Sequence, residues 1–470
     1  MARAPANNAQ VASWEDDPES GVATRRPVPD LSKKPLAYAF AGAKPIARVY
    51  AEGTSQFRYW AAAEALRRGA DFWAARIGVG WEVGKTLKVM LDEGVDLNAY
   101  YDRNALNFFH GPGAQGTVWS CESPDVVCHE MGHAILDSIK PQLWDAASQE
   151  AAAFHESFGD MSAILSALQL QSLRKAVLSD TQGQLYRSSR LSRLAEQLGS
   201  AIRKSHPDAV ESDCLRNAVN SFTYSDPMRL PQMAPASLLS SEPHSFSRVF
   251  TGAFFEVLAG LVAAKASKSG AAATEADLLA ASGEIADILV NGVRAAPVVP
   301  NFYAQVAAAM VQASAAVNAQ YPPILKAAFV RRSILSLRSA AQVQTLQATQ
   351  KGVAARRGMA AAPTEPTSTL ALPSDHYGLD RPILVQAATN PRSFVAMAAD
   401  AGAVAPPPSS STAAAAFVDD LFRLGKVDYS GFRSAEAGLD HGNRRRSHKL
   451  ASEGSGLRLM RCHFDCGLAR

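Results

Sequence analysis

The stretch Ser123-Pro124-Asp125-Val126-Val127-Cys128-His129-Glu130-Met131-Gly132-His133 decides how this chain is read. It opens like a helix, with a serine placed to cap, a proline at the first helical position and an acid in the first turn. Apolar cover continues through Ala134, Ile135 and Ile139, and Lys140-Pro141 predicts the stop. On such a helix the His-Glu-x-x-His spacing sets two imidazoles one turn apart on one face, with a carboxylate beside them. Two imidazoles so placed take two corners of a zinc tetrahedron, while the glutamate polarises a water at a third. The bland alternative is a surface helix that happens to carry these residues. Glu130 and Asp137 weigh against it, because acids under apolar cover need a metal or a partner.

A third protein ligand has to come from elsewhere. One class of zinc peptidases supplies a closely following histidine, in the pattern His-Glu-x-x-His-x-x-Gly-x-x-His. Leu136 and Ile139 stand at the last two of those positions, which excludes that class. The Ala-rich segment 145–170 predicts a long buried helix. Glu156 and Asp160 lie four apart on one of its faces. The pairing makes Glu156 the candidate ligand and Asp160 the acceptor for the other ring N–H of a ligand imidazole. Two acids at this spacing ordinarily mark a solvated face, a reading that an otherwise apolar helix disfavours.

His129-Glu130-x-x-His133 followed by Glu156-x-x-x-Asp160 resembles the thermolysin family of zinc endopeptidases, the gluzincins. The resemblance is strong over 123–161 and weaker across the rest of 36–341. It implies an α+β, two-lobed fold: a β-rich N-terminal lobe with helices (36–122), then the zinc-binding helices and an all-α lobe (123–341). It implies zinc held by His129, His133 and Glu156, Glu130 as general base, and Asp160 as a buttress to His129. His244, directly before an apolar helix containing Val249, Phe250 and Phe254, matches the histidine that steadies the oxyanion. An Asn-Ala-aromatic run on an edge strand holds the substrate backbone in the family. Within Asn104-Ala105-Leu106-Asn107-Phe108-Phe109 the better match is Asn107, with Asn104 as rival. Val126 is expected to line the pocket for the residue after the scissile bond.

The pattern around this resemblance has its own elements. Residues 56–77 carry apolar side chains at three and four spacing and predict a helix. Segments 87–90, 97–101, 106–109 and 117–121 read as strands, and 275–293, 299–318 and 321–340 as helices. There are departures from the family. No tyrosine lies between Ala134 and His155, and Trp144 cannot donate an O–H. Phe222 sits where the family's substrate-clamping arginine would, leaving Arg216 or Arg229 as candidates. Asp125 matches a calcium ligand, yet Ala167 falls where a completing acid would be, so calcium is not expected.

The expected function is therefore a zinc metalloendopeptidase acting on peptide or protein substrates. Two alternatives stay open: an aminopeptidase, for which the chain lacks the Gly-x-Met-Glu-Asn anchor, and a zinc-binding scaffold without protease activity. Composition sets further bounds. With 470 residues and 47% apolar content, two sizeable cores are affordable in chain length alone. A net charge of +3 argues against nucleic acid as a partner. Residues 1–32 lack an apolar signal segment, and the apolar stretch 249–265 contains Glu256, so no classical secretory signal or membrane span is expected; the placement is cytoplasmic, with export by a route without a classical signal left open. Five cysteines read as free thiols of a reducing compartment. Cys462-His463-Phe464-Asp465-Cys466 lacks the second cysteine pair of a zinc module. Residues 1–35 read as disordered, 342–373 as a linker, and 374–470 as a small irregular appendage.

Overall fold

Helix α1 (Ser55–Ile77) begins where the Thr54 side chain accepts the N–H of Phe57, and ends at Gly78 in a left-handed conformation. Its predicted stripe of Trp60, Leu66, Ala70 and Trp73 is fully buried. In this computed structural model the described residues are 9–341 except 20, 115 and 271, together with 343, 368–389, 397–398, 404–405, 407–429, 431–432 and 446–467. The chain is a mixed α+β protein. One five-stranded sheet runs Phe464–Asp465, Ala99–Tyr101, Ala105–Phe108, Thr86–Met90, Ala37–Phe40 in spatial order. The last three strands are parallel, and the first two pair antiparallel with their inner neighbours.

The helices follow the predicted pattern with trimmed ends. Ser123 caps α2 (Pro124–Ile139) by accepting from Val126 N, and Pro124 opens it. Ser148 caps α3 (Gln149–Ala167) in the same way. The short α4 (Gln171–Thr181) and α5 (Glu196–Arg203) lead to α6 (Pro243–Ser269). Then come α7 (Glu275–Ala295), α8 (Phe302–Val317) and α9 (Tyr321–Arg331). Helix α6 is long and apolar enough to cross a membrane by length and composition, but it packs along α3, α7 and α9 with its aromatic residues fully buried. A single core joins these helices to the sheet through Trp73, Phe154, Phe158, Phe250 and Tyr303.

Four expectations need correction. Within 1–35, strands Gln10–Trp14 and Ala23–Pro27 form a hairpin. Its Val11, Ala12 and Trp14 are buried, and the Trp14 ring meets Phe57 of α1 edge-on at 5.5 Å. Residues 374–470 are not an irregular appendage. A second five-stranded sheet runs Ser368–Leu372, Ile383–Ala387, Gly456–Arg461, His448–Glu453, Val427–Asp428, accompanied by a helix at Ser410–Arg423. Ala147 N–H donates to Gln386 O at 2.8 Å and the Arg461 guanidinium to Trp144 O at 2.9 Å, which ties this unit to the loop between α2 and α3. Of the expected linker, 344–367 lies outside the described residues, and 368–372 is a strand. Finally, the strand bearing Asn107 is an inner strand, and the edge position on that side falls to Phe464–Asp465, next to Ala99–Tyr101.

Helices α2 and α3 cross where neither has a side chain. A Cβ on Gly132 would lie 2.8 Å from Gly159 Cα, and a Cβ on Gly159 would lie 2.6 Å from the His129 ring. Both contacts fall below van der Waals distance, so the crossing depends on glycine at each position. We expect Gly132→Ala, which meets backbone it cannot displace cheaply, to cost about 1–3 kcal/mol of stability. Thermal unfolding measures it; an unchanged Tm would show that the crossing tolerates a methyl group.

Candidate metal centre

His129, Glu130 and His133 sit on the face of α2 turned toward α3, and their donor atoms lie within 4.8 Å of one another, all buried. From α3, Glu156 Oε2 approaches His129 Nε2 to 3.3 Å, and Oε1 approaches His133 Nε2 to 3.8 Å. The Nε2 atoms of both histidines and Oε2 of Glu156 have no hydrogen-bond partner. Buried donors left unpaired are costly, and three that converge on one point are the arrangement a cation requires. Two imidazole nitrogens and a carboxylate oxygen are the donor chemistry of a zinc-class divalent ion. The residues present therefore fit the group that the motif implies.

Asp160 stands one turn beyond Glu156 and does what its spacing implied. Its Oδ1 lies 3.0 Å from His129 Nδ1, which fixes the ring so that Nε2 faces the centre. Arg216, from the short strand Arg216–Asn217, in turn donates to Asp160 at 2.8 Å. Burial opposes the Asp160 charge, but Arg216 and the His129 ring outweigh it and hold the carboxyl well below its usual range. Burial also opposes a charge on His129, yet the nearby carboxylates of Asp160 and Glu156 keep its proton affinity high, at about 9. His133, without such a carboxylate partner, is pushed down by burial and by its neighbouring cations. Burial raises Glu130 to about 8.

On the opposite wall, His244 lies in the first turn of α6, where Glu242 caps the helix by accepting from Ser245 N–H at 3.0 Å. The same Glu242 accepts from His244 Nδ1 at 2.6 Å. His244 Nε2 approaches Glu156 Oε2 to 3.3 Å and meets the carbonyl oxygen of Asp465. Burial disfavours its charge, but Glu156 and Glu242 overcome this and raise it to about 10. A cavity of about 370 Å³ opens beside it, lined by Arg216, Met233, Glu242, Arg248 and Cys466 among others.

The structure brings His129, Glu130, His133, Glu156, Asp160 and His244 together. Asn107 and Val126 fall elsewhere. Asn107 is buried in its inner strand, its amide donating to Ala105 O at 3.3 Å. Val126 belongs to the core and does not line the cavity. Sequence reasoning missed Asn98-Ala99-Tyr100, which has the same Asn-Ala-aromatic pattern and opens the strand next to the edge, beside Gly467. Of the two arginine candidates, Arg216 is in the site, whereas Arg229 is exposed. Asp137 is no ligand: it accepts from Tyr101 Oη at 3.0 Å and Arg103 Nε at 2.9 Å, locking the strand Ala99–Tyr101 to α2. His155 turns from Glu156 but stays close, its ring stacked on Phe464 at 4.1 Å. No protein-family model matches the chain, and no curated protein matches it.

The acids expected to be missing around Asp125 are present, drawn from distant segments. Asp17 accepts from Ser123 Oγ at 2.6 Å and Gln197 N at 2.8 Å, and Asp125 accepts from Ala195 N at 3.1 Å. Burial together with repulsion from Asp16, Asp17 and Glu196 raises Asp125. Burial lifts Asp16 from 3.8 to about 7 and Asp17 to about 6.

Two predictions follow from this geometry. His133→Ala and Glu156→Ala should each abolish stoichiometric zinc in the purified protein, and Asp160→Asn should weaken zinc affinity by about 10- to 100-fold. Elemental analysis and competition with a chelating dye measure both; full zinc content in Glu156→Ala would remove it from the ligand set. For the acidic cluster, folded Asp16 holds its proton more tightly than unfolded Asp16. Its contribution to stability is complete below the unfolded pKa and is lost as pH rises through about 7. In chelator-containing buffer Asp16→Asn should therefore raise Tm at about pH 8 and do so much less at about pH 4. An equal shift at both would contradict it.

Proposed function

We propose that this chain is a zinc-dependent endopeptidase with the two-lobed architecture of the thermolysin family. The observation that carries the reading is the convergence of His129, His133 and Glu156 on one buried point, with Glu130 on one side and His244 on the other. A structural zinc site has no use for a carboxylate base or for a histidine on the facing wall. Helix α2 packs on α1 and the strand Ala99–Tyr101, while α6 to α9 pack on one another and on α3, and this grouping supports the two-lobed arrangement.

Bound zinc supplies Lewis acidity for activating water and polarising a carbonyl. The remaining work belongs to the protein. An extended peptide lies along Ala99–Tyr101, in the edge position held by Phe464–Asp465, and the strand backbone supplies the pairing. Glu130 takes a proton from the attacking water and passes it to the leaving amine, a role that suits a proton affinity near neutrality. His244 donates from Nε2 to the oxygen that gains charge, and Glu242 fixes the tautomer that permits it. Asp160 and Arg216 keep the His129 ring from rotating. The cavity beside Arg216 and Met233 receives a side chain next to the scissile bond. All five cysteines are free thiols, which fits a reducing, cytoplasmic setting.

The test is Glu130→Gln. The variant should keep its zinc, measured by elemental analysis, while cleavage of an unfolded protein such as casein falls by about 100-fold or more. A variant that binds zinc and cuts at the wild-type rate would take Glu130 out of the mechanism.

A further inference from the structure

Residues 462–467 are separated from the metal centre by more than two hundred positions in sequence, yet they fill its cleft. Phe464–Asp465 adds to the edge of the first sheet, pairing antiparallel with Tyr101 and Tyr100, and Cys466 N–H donates to Ala99 O at 2.9 Å. The segment therefore occupies the strand position that an extended peptide needs. Its side chains and carbonyls engage the site directly. The Phe464 ring stacks on His155 and lies 5.0 Å from the ring of ligand His133. The Asp465 carbonyl oxygen takes the Nε2 of His244. Cys466 is buried, and its Sγ donates to Glu130 Oε1 at 2.7 Å. Glu130 is itself grouped with His129 and His133, and His129 Nε2, His133 Nε2 and Glu156 Oε2 are without hydrogen bonds.

A general base forms a hydrogen bond with the water it deprotonates, and here that hydrogen bond comes from a thiol. Three protein ligands leave a zinc site one open position, and a thiolate is a strong zinc ligand. We propose that Cys466 is the fourth ligand of the metal bound by His129, His133 and Glu156, and that residues 462–467 are a tethered strand which keeps the cleft closed. This rests on the metal reading given above. On coordination the S–H bond breaks, the sulfur keeps the electron pair and bonds the metal, and the proton leaves, with Glu130 in place to accept it. A ligand on the same chain acts at an effective concentration in the millimolar range, so even a modest intrinsic affinity closes the site. Opening requires the strand to leave the sheet edge and the sulfur to leave the metal together.

The experiment uses the full chain loaded with Co²⁺, alongside Cys466→Ala and a chain ending at Arg461. Three results are expected. A near-ultraviolet thiolate-to-cobalt absorption band appears in the wild type and is lost in Cys466→Ala. Alkylation of Cys466 by iodoacetamide, followed by mass spectrometry, is at least about tenfold slower with metal than with chelator. Casein cleavage by the zinc form rises by about tenfold or more in both altered chains. Cobalt bound without the band, and with alkylation unchanged, would overturn the ligand assignment and leave the metal reading standing. A band accompanied by no gain of cleavage in either altered chain would overturn the closed-strand assignment and mark a purely structural centre. Cleavage of the wild type between Asp465 and Cys466 would make the segment a substrate and overturn it too. Failure to bind cobalt at all would defeat the metal reading first. Cys466→Ala keeps the whole chain, so the test stands even if the shortened one does not fold.

Discussion

Two helices can approach within contact distance of their backbones only where both lack side chains, and α2 and α3 meet in that way at Gly132 and Gly159. That approach brings Glu156 of one helix against His129 and His133 of the other. It also places Gly159 directly under the His129 ring, so the imidazole rests on backbone instead of a side chain. Everything else at the centre is built on this contact. Asp160 reaches Nδ1 because it lies one turn beyond Glu156, and Arg216 reaches Asp160 because α3 has been drawn against α2.

A second requirement is that the walls around the centre hold their positions relative to α2. Asp137, one turn past His133, does this for the sheet by accepting from Tyr101 and Arg103. Ser123 does it at the other end, capping α2 while donating to Asp17 of the N-terminal segment. Glu242 does it for α6, with one carboxylate both capping the helix and orienting His244. Each of these side chains serves two elements at once. This explains how a helix with so many polar residues can be buried without leaving most of them unpaired.

What could be read in the sequence was what is local. The helix around His129 announces its start, its stop and its polar face within eighteen residues, and Glu156 and Asp160 stand out because apolar neighbours surround them. His244 was legible from the apolar helix it precedes. The edge strand was misplaced because only the pairing order separates edge from interior, and it sets Phe464–Asp465 outside both Asn98-Ala99-Tyr100 and Asn104-Ala105-Leu106. The N-terminal hairpin was missed since two short strands flanked by polar residues have no periodic signal. The acids around Asp125 come from residues 16, 17 and 196, a grouping that no spacing rule anticipates. The same is true of Cys466: the search for a second cysteine pair nearby overlooked a histidine pair three hundred positions away.

The strand at Phe464–Asp465 also bears on how the molecule is made. Translation delivers α2, α3 and α6 long before Cys466 emerges, so the helices with the metal-binding residues exist on the ribosome beside an uncovered sheet edge. An open strand edge is a template for pairing with any extended neighbour. The newborn chain thus passes through an interval in which its cleft is bare and its edge adhesive, and the later arrival of residues 464–466 ends that interval by covering both.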